Sequence, residues 1–444
     1  MSVKGIHSKR CWIEGQLQEA TVFFEEGIIT GIEKGALVHD DNVYNAGEAV
    51  FMPGIIDVHV HVNEPGRTEW EGFDTATKAA AAGGITTIVD MPLNASPVTT
   101  TVRALEEKLQ STNGKLNVNC GFYGGLVPGN TGELEGLIKA GVLGIKAFLT
   151  HSGIDEFPNV TEADLDAAMP ILSRHRVPLL VHCELSDNYH KEALTESPTN
   201  YQAYLSSRPK EWENKAVEMM IRLCRKHNCP VHVVHVSSAE ALGAIANAKG
   251  EGLPLTAETC PHYIYFNAED IPDGQTIYKC APQIRELANN ELLKEALDEG
   301  VLNLLATDHS PAPPSIKEIE SGNLQKAWGG IAGLQFLLSA SWSALGDDMS
   351  VEKFIPLLTE HPARLLNIHH KGFLRSGYDA DITIWSPEES TIIKEEDILH
   401  RHKISPYIGR RLMGTVKQTY VNGELVFDKN KLTQLNKGKW LLRK

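Results

Sequence analysis

Between residues 53 and 370, short apolar runs alternate with longer stretches of helical periodicity, at an interval of roughly 30–40 residues. Eight of the runs read as buried strands: 55–62, 85–91, 116–121, 144–149, 178–182, 231–236, 255–259 and 302–307. Amphipathic helices follow most of them, for example over 134–140, 164–174, 214–227 and 239–248. A buried strand with a crossover helix, repeated eight times, predicts a (β/α)8 barrel. A doubly wound open sheet is the alternative, but no Gly-rich phosphate loop follows the first strand.

The two ends of the chain have another texture. Ala20-Thr-Val-Phe-Phe, a Glu-Glu-Gly turn and Ile28-Ile-Thr-Gly-Ile predict strand, turn and strand. Asp381-Ile-Thr-Ile-Trp385 alternates, and Thr419-Tyr-Val-Asn422-Gly423-Glu-Leu-Val-Phe contains the Asn-Gly step of a type I′ hairpin. Short β segments at opposite ends are expected to pair. The predicted class is therefore α/β: a (β/α)8 barrel over 53–370, with a small β-sandwich domain formed from 1–52 and 371–444.

A barrel collects its chemistry where the strands end, at the C-terminal face. The first strand opens after Pro53-Gly54 and carries Asp57, His59 and His61 at alternate positions. These three are expected to share one face, and Ile56, Val58, Val60 and Val62 the other. Two imidazoles so spaced can hold one metal ion; two core histidines bonded to backbone are the bland alternative. The other strand ends add Lys146, His182, His235 and Asp308. In Val231-His232-Val-Val-His235 the rings have opposite parity, so one alone is expected to face the interior. His235, nearer the strand end, is the ligand candidate, and His232 is expected to pack between sheet and helix.

Lys146 is the unusual member. Burying a lone ammonium in an apolar strand drives it towards the neutral amine. A neutral amine can add carbon dioxide, and the carbamate offers two oxygens able to bridge metal ions about 3.5–4 Å apart. A lysine that snorkels to the rim is the alternative. Asp308, in Ala-Thr-Asp-His-Ser-Pro, can bind a metal and take a proton from attacking water, or simply cap a turn.

Composition narrows the function class. The chain has 444 residues, 42% hydrophobic and 22% charged, ordinary values for a globular enzyme. A net charge of −15 without any basic tract argues against nucleic-acid and membrane-surface partners. No run of about 18 apolar residues and no apolar leader is present. Seven cysteines with no CxxC pair fit reduced thiols, so a cytoplasmic protein is expected.

With these residues assembled, the chain resembles the cyclic amidohydrolases, which include dihydroorotase, hydantoinase/dihydropyrimidinase and allantoinase. The likeness runs from Pro53-Gly-Ile-Ile-Asp-Val-His-Val-His to the C-terminal β segment. It implies that His59, His61 and Asp308 hold a more buried metal and that His182 and His235 hold a second. A carboxylated Lys146 (N6-carboxylysine) and a hydroxide would bridge the two ions. Zinc ions and a homotetramer are further implications.

Five stretches resemble the allantoinase branch: Glu64-Pro-Gly-Arg-Thr-Glu-Trp70-Glu-Gly, Gly83-Gly-Ile-Thr-Thr, Met91-Pro-Leu-Asn94, Lys326-Ala-Trp-Gly-Gly-Ile-Ala-Gly-Leu-Gln335 and Arg401-His-Lys-Ile-Ser-Pro-Tyr-Ile-Gly-Arg410. Dihydroorotases usually carry Arg at the second position after the histidine pair, to grip a carboxylate. Here it is Asn63, which suits an uncharged ring such as allantoin. The chain departs from its relatives at Ala281, where Ser is usual, and at Gln283, where Pro is common.

The implied reaction opens the hydantoin ring of allantoin to allantoate, a step of purine catabolism. Asp308 would take the proton of the attacking hydroxide and return it to the leaving nitrogen. Asn63, Asn94 and the backbone near Ala281 and Gly330 are the candidates for holding the ring. The rival expectations are hydantoinase/dihydropyrimidinase or dihydroorotase activity and a non-enzymatic scaffold of the same fold. The complete ligand set speaks against the scaffold.

Overall fold

The computed structural model describes residues 4–36, 41–187 and 192–444. Among the described residues, eight parallel strands stand where the apolar runs predict them: β1 (Ile55–Val60), β2 (Ile85–Asp90), β3 (Asn119–Phe122), β4 (Ile145–Phe148), β5 (Leu179–His182), β6 (Val231–Val233), β7 (Leu255–Thr259) and β8 (Leu304–Leu305). Several are shorter than their runs, because the apolar sequence continues into the loop that follows.

All of these strands pair in parallel. β1, β2 and β3 are neighbours in that order. Gly124–Gly125, just beyond β3, pairs with β4, and β5 to β8 follow in sequence. Past β8, His309 bridges to Val60 of β1. Thr307 donates to the Asp57 carboxylate from its backbone N (3.2 Å) and its hydroxyl (2.5 Å).

Buried side chains sort onto two sides of these strands. Ile56, Val58, Val89, Tyr123, Leu180, Leu304 and Ala306 belong to one apolar cluster. Ile85, Ile88, Ile145, Ala147, Leu179, Val181, Val231 and Val233 pack in a larger one with the apolar faces of the helices, such as Leu165 and Leu172 of Glu162–His175. That helix starts on a Thr161–Asp164 capping box and stops at left-handed Arg176.

Alternation breaks in β1, whose pairing with β2 slips between Asp57 and Val60. Val58 joins the cluster of Ile56, whereas Val60 and Val62 join the other. The single shared face expected for Asp57, His59 and His61 is thereby lost. Asp57 turns to Thr307, and the two rings reach the mouth.

The chain ends pair as expected. Nine strands from residues 5–432 form one continuous sheet, in which Val50–Pro53 lies between Gly5–Ile13 and Ile382–Ile392. Ile6, Val22, Ile29, Phe51, Ile382 and Ile384 form its core. Asn422 and Gly423 both take positive φ, 50° and 79°, as a type I′ turn requires. Among the described residues, no helix is long and apolar enough to cross a membrane.

Candidate metal centre

The side chains expected at the strand ends come together in two adjoining groups. His59 Nε2 and His61 Nε2 lie 3.2 and 3.4 Å from Asp308 Oδ1. Ligand atoms from these three buried residues fall within 4.8 Å of one another. His182 Nδ1 faces His235 Nε2 at 3.0 Å. The ring centroids of His59 and His235 are 5.4 Å apart, so the groups are neighbours. Lys146 is fully buried over the Phe148 ring, 4.9 Å from its centroid, and its Nζ has no hydrogen-bond partner among the described residues.

Two of these residues owe their position to backbone rather than to strand alternation. His235 and Asp308 lie past the ends of β6 and β8 with φ of 40° and 45°. The strand register in turn corrects the expectation that His232 packs between sheet and helix. Register pairs Lys146 with Leu180, Leu180 with His232 and His232 with Thr256, so His232 faces the same side as Lys146. Both histidines therefore point inward, since the strand ends at Val233 and the turn resets the alternation. His232 sits deeper than the mouth, 2.8 Å from Thr256 Oγ1 through Nδ1 and 2.9 Å from Glu258 Oε2 through Nε2.

Two buried carboxylates escaped the strand-end reading. Glu258, in β7, accepts from His59 Nδ1 at 2.5 Å as well as from His232. Its signal was a lone carboxylate in the apolar run Leu255-Thr-Ala-Glu258-Thr. Glu184 accepts from His182 Nε2 at 2.7 Å and from Arg208 Nε at 3.1 Å. Its partner Arg208 comes from a distant segment, which no local pattern could announce. Each carboxylate occupies the far nitrogen of a histidine and so fixes which nitrogen looks inward.

A cavity of about 460 Å3 opens over these groups. Asn94 and Ala281 line it, together with Arg208, Lys279 and Trp328. Asn63 and Gly330 fall outside its lining. Asn63 Nδ2 is 3.4 Å from the Pro311 carbonyl, and Gly330 packs so tightly on Ser310 that a Cβ would stand 2.3 Å from its carbonyl oxygen.

A model described as the amidohydrolase family matches residues 50–426. The chain belongs to the amidohydrolase family.

This amidohydrolase is 42% identical over 446 residues to an allantoinase of Arabidopsis thaliana, a match covering 96% of this chain and 88% of that one. It is 41% identical over 432 residues to an allantoinase of Streptomyces avermitilis, covering 96% and 95%. Among solved structures it resembles the L-hydantoinase (dihydropyrimidinase) from Arthrobacter aurescens, with a TM-score of 0.92, 28% identity and 99% of each chain covered. A dihydropyrimidinase from Brevibacillus agri NCHU1002 gives a TM-score of 0.88 at 25% identity, covering 100% of this chain and 98% of that one.

The electrostatics of the amidohydrolase mouth suit a metal. Burial pushes His61 down to about 4, lowers His182 and holds His235 well below its ordinary value, so these rings keep free lone pairs at neutral pH. Burial by itself would raise Asp308, but His59 and the bond from His61 overcome it and hold the carboxyl far below the usual range. Burial also pulls the Lys146 amine down to about 8, against the opposing charge of Asp308. Neutral imidazoles, an ionised carboxylate and an unpartnered amine form a donor set that fits divalent ions.

Proposed function

We propose that this amidohydrolase opens the hydantoin ring of allantoin to allantoate with the aid of two divalent metal ions, zinc in the simplest case. His59, His61 and Asp308 would hold one ion and His182 and His235 the other, with a carboxylated Lys146 between them. The observation that carries the metal reading is the Lys146 amine, buried beside both donor groups and without a hydrogen-bond partner among the described residues. An unpaired ammonium there is costly, whereas a carbamate turns the position into an anionic ligand. The substrate reading is supported by near-full-length likeness to allantoinases at 41–42% identity.

Bound in this site, the ions would polarise the ring carbonyl and lower the pKa of water. The chain supplies the rest. Asp308, held ionised, accepts the proton of the attacking water and passes it to the leaving ring nitrogen. Glu258 and Glu184 keep His59 and His182 in the tautomers that leave Nε2 and Nδ1 free. Asn94 and Ala281 line the cavity and are assigned to hold the ring.

The architecture we propose is a closed (β/α)8 barrel over 53–370, with a β-sandwich from 1–52 and 371–444. The bridge from His309 to Val60 supports closure, and the single core shared by strands from both ends supports the sandwich. Seven buried free thiols support a reduced, cytoplasmic setting. The homotetramer rests on resemblance and is checked by light scattering.

A second reading, hydantoinase/dihydropyrimidinase activity, is favoured by the solved structures of similar fold. Metal analysis of the purified protein, run beside product identification, tests both. About two divalent ions per chain and allantoate as product are expected. A metal-free protein at full activity would sink the metal reading.

A further inference from the structure

Two separate segments form one stretch of the cavity wall: Lys279 with Ala281, and Ala327 with Trp328 and Gly329. A single buried side chain from behind the wall holds both. Lys317, only 4% exposed, donates from Nζ to the carbonyl oxygens of Lys279 (2.8 Å), Trp328 (3.1 Å) and Gly330 (2.5 Å). An ammonium has three N–H bonds, and three carbonyls use all of them. The segments are tied a second time, because Lys279 Nζ donates to the Ala327 carbonyl and Gly330 N donates to the Lys279 carbonyl at 2.9 Å.

The local sequence explains how the lysine arrives there. Lys317 follows Ala312-Pro-Pro-Ser-Ile, whose chain turns back so that Trp328 N donates to Ile316 O at 2.8 Å. Ala281 is one of the two positions that depart from relatives, and the stretch from Lys326 is one of the five that resemble them. Lys317 joins them although it lines no part of the cavity itself.

We infer that Lys317 is a positioning residue for the substrate: it sets the spacing of the 279–281 and 327–329 stretches of the cavity wall and so offers the ring a ready-made edge. The inference rests on the cavity being the substrate site proposed above. A preformed edge lowers the ordering cost of binding and acts on ground state and transition state alike. Losing it therefore raises KM and leaves kcat nearly unchanged.

Lys317→Met removes the three donors at similar length, and Lys317→Gln keeps two of them. Steady-state kinetics with allantoin and metal content are measured on each variant. The Met variant is expected to keep its metal and a kcat within about threefold of wild type, while KM rises about tenfold or more; the Gln variant falls between. An unchanged KM in a soluble, metal-loaded Met variant overturns the inference, as does a fall in kcat and metal with KM unmoved. Should the Met variant not fold, the KM of the Gln variant decides by the same criterion. If wild type opens another ring instead of allantoin, the substrate reading fails by itself, and the same comparison on that ring still decides the role of Lys317.

Discussion

Glu258 stands 2.5 Å from Nδ1 of His59 with one oxygen and 2.9 Å from Nε2 of His232 with the other. Burial would raise this carboxyl, yet the two rings hold it at about 2, so it is ionised throughout the neutral range. It fixes His59 with Nε2 towards Asp308. Glu258→Gln is expected to weaken metal binding by about 10–100-fold with the fold intact. Chelator competition and circular dichroism measure the two, and wild-type affinity in the variant would remove Glu258 from the metal site.

His232 and His235 should separate cleanly. His235→Ala removes one of two donors facing each other at 3.0 Å and is expected to lower the metal count while the fold survives. His232→Ala leaves one Glu258 oxygen and the Thr256 hydroxyl without their partner, at a cost of about 1–3 kcal/mol. Denaturant unfolding and metal counting read the pair. The reverse pattern would mean that His232 is the ligand.

Lys146→Ala is expected to lose metal together with nearly all activity. Wild-type protein stripped of metal is expected to recover with zinc only when bicarbonate is present, since the carbamate must form before it can bind. Recovery at the same rate and extent in carbon-dioxide-free buffer would contradict the carbamate.

A further prediction concerns stability alone. Lys371, almost fully buried, lies 2.7 Å from Asp379 and 2.5 Å from Asp381, and Asp381 also accepts from Asn119 of β3. Burial opposes its charge, but Asp381 and Asp379 raise its pKa above the ordinary lysine value. A raised folded pKa means that the stabilisation is complete below the unfolded value near 10.5 and is lost as pH rises through the folded one. Lys371→Met leaves two acids without their cation and should cost about 3–5 kcal/mol at neutral pH. Urea unfolding across neutral to alkaline pH checks this, and the deficit of the variant should shrink at the alkaline end.

Much of the site was legible because each strand-end residue announces itself as a polar group in an apolar run. His59, His61 and Asp308 come together, His182 faces His235, and Lys146 lies buried near them, while their roles as ligands belong to the proposal. What escaped was set by backbone and by distant chain. The slip in β1 separated Asp57 from the two histidines, the register of β6 turned His232 to the side of Lys146, and the left-handed turn at His235 brought that ring to the same side. Asn63 and Gly330 stand beside the right motifs but outside the cavity lining, Asn63 against the Pro311 carbonyl and Gly330 packed on Ser310. Arg208 and Lys317 act through contacts more than ten residues away in sequence, so no local spacing marks them.

Substrate choice tests the central claim most directly. The cavity holds the Asp308 carboxylate, and Arg208, which lines it, has two of its nitrogens on Glu184. An uncharged ring meets no repulsion there, whereas a carboxylated ring finds Asn63 in place of the arginine usual in dihydroorotases, a charge-assisted contact worth about one to two decades in binding. The measurement is kcat/KM for allantoin, dihydroorotate and dihydrouracil on metal-loaded protein at neutral pH. Allantoin is expected to exceed dihydroorotate by about tenfold or more, and the likeness to allantoinases places it above dihydrouracil as well. A preference for dihydroorotate or dihydrouracil would contradict the proposed function.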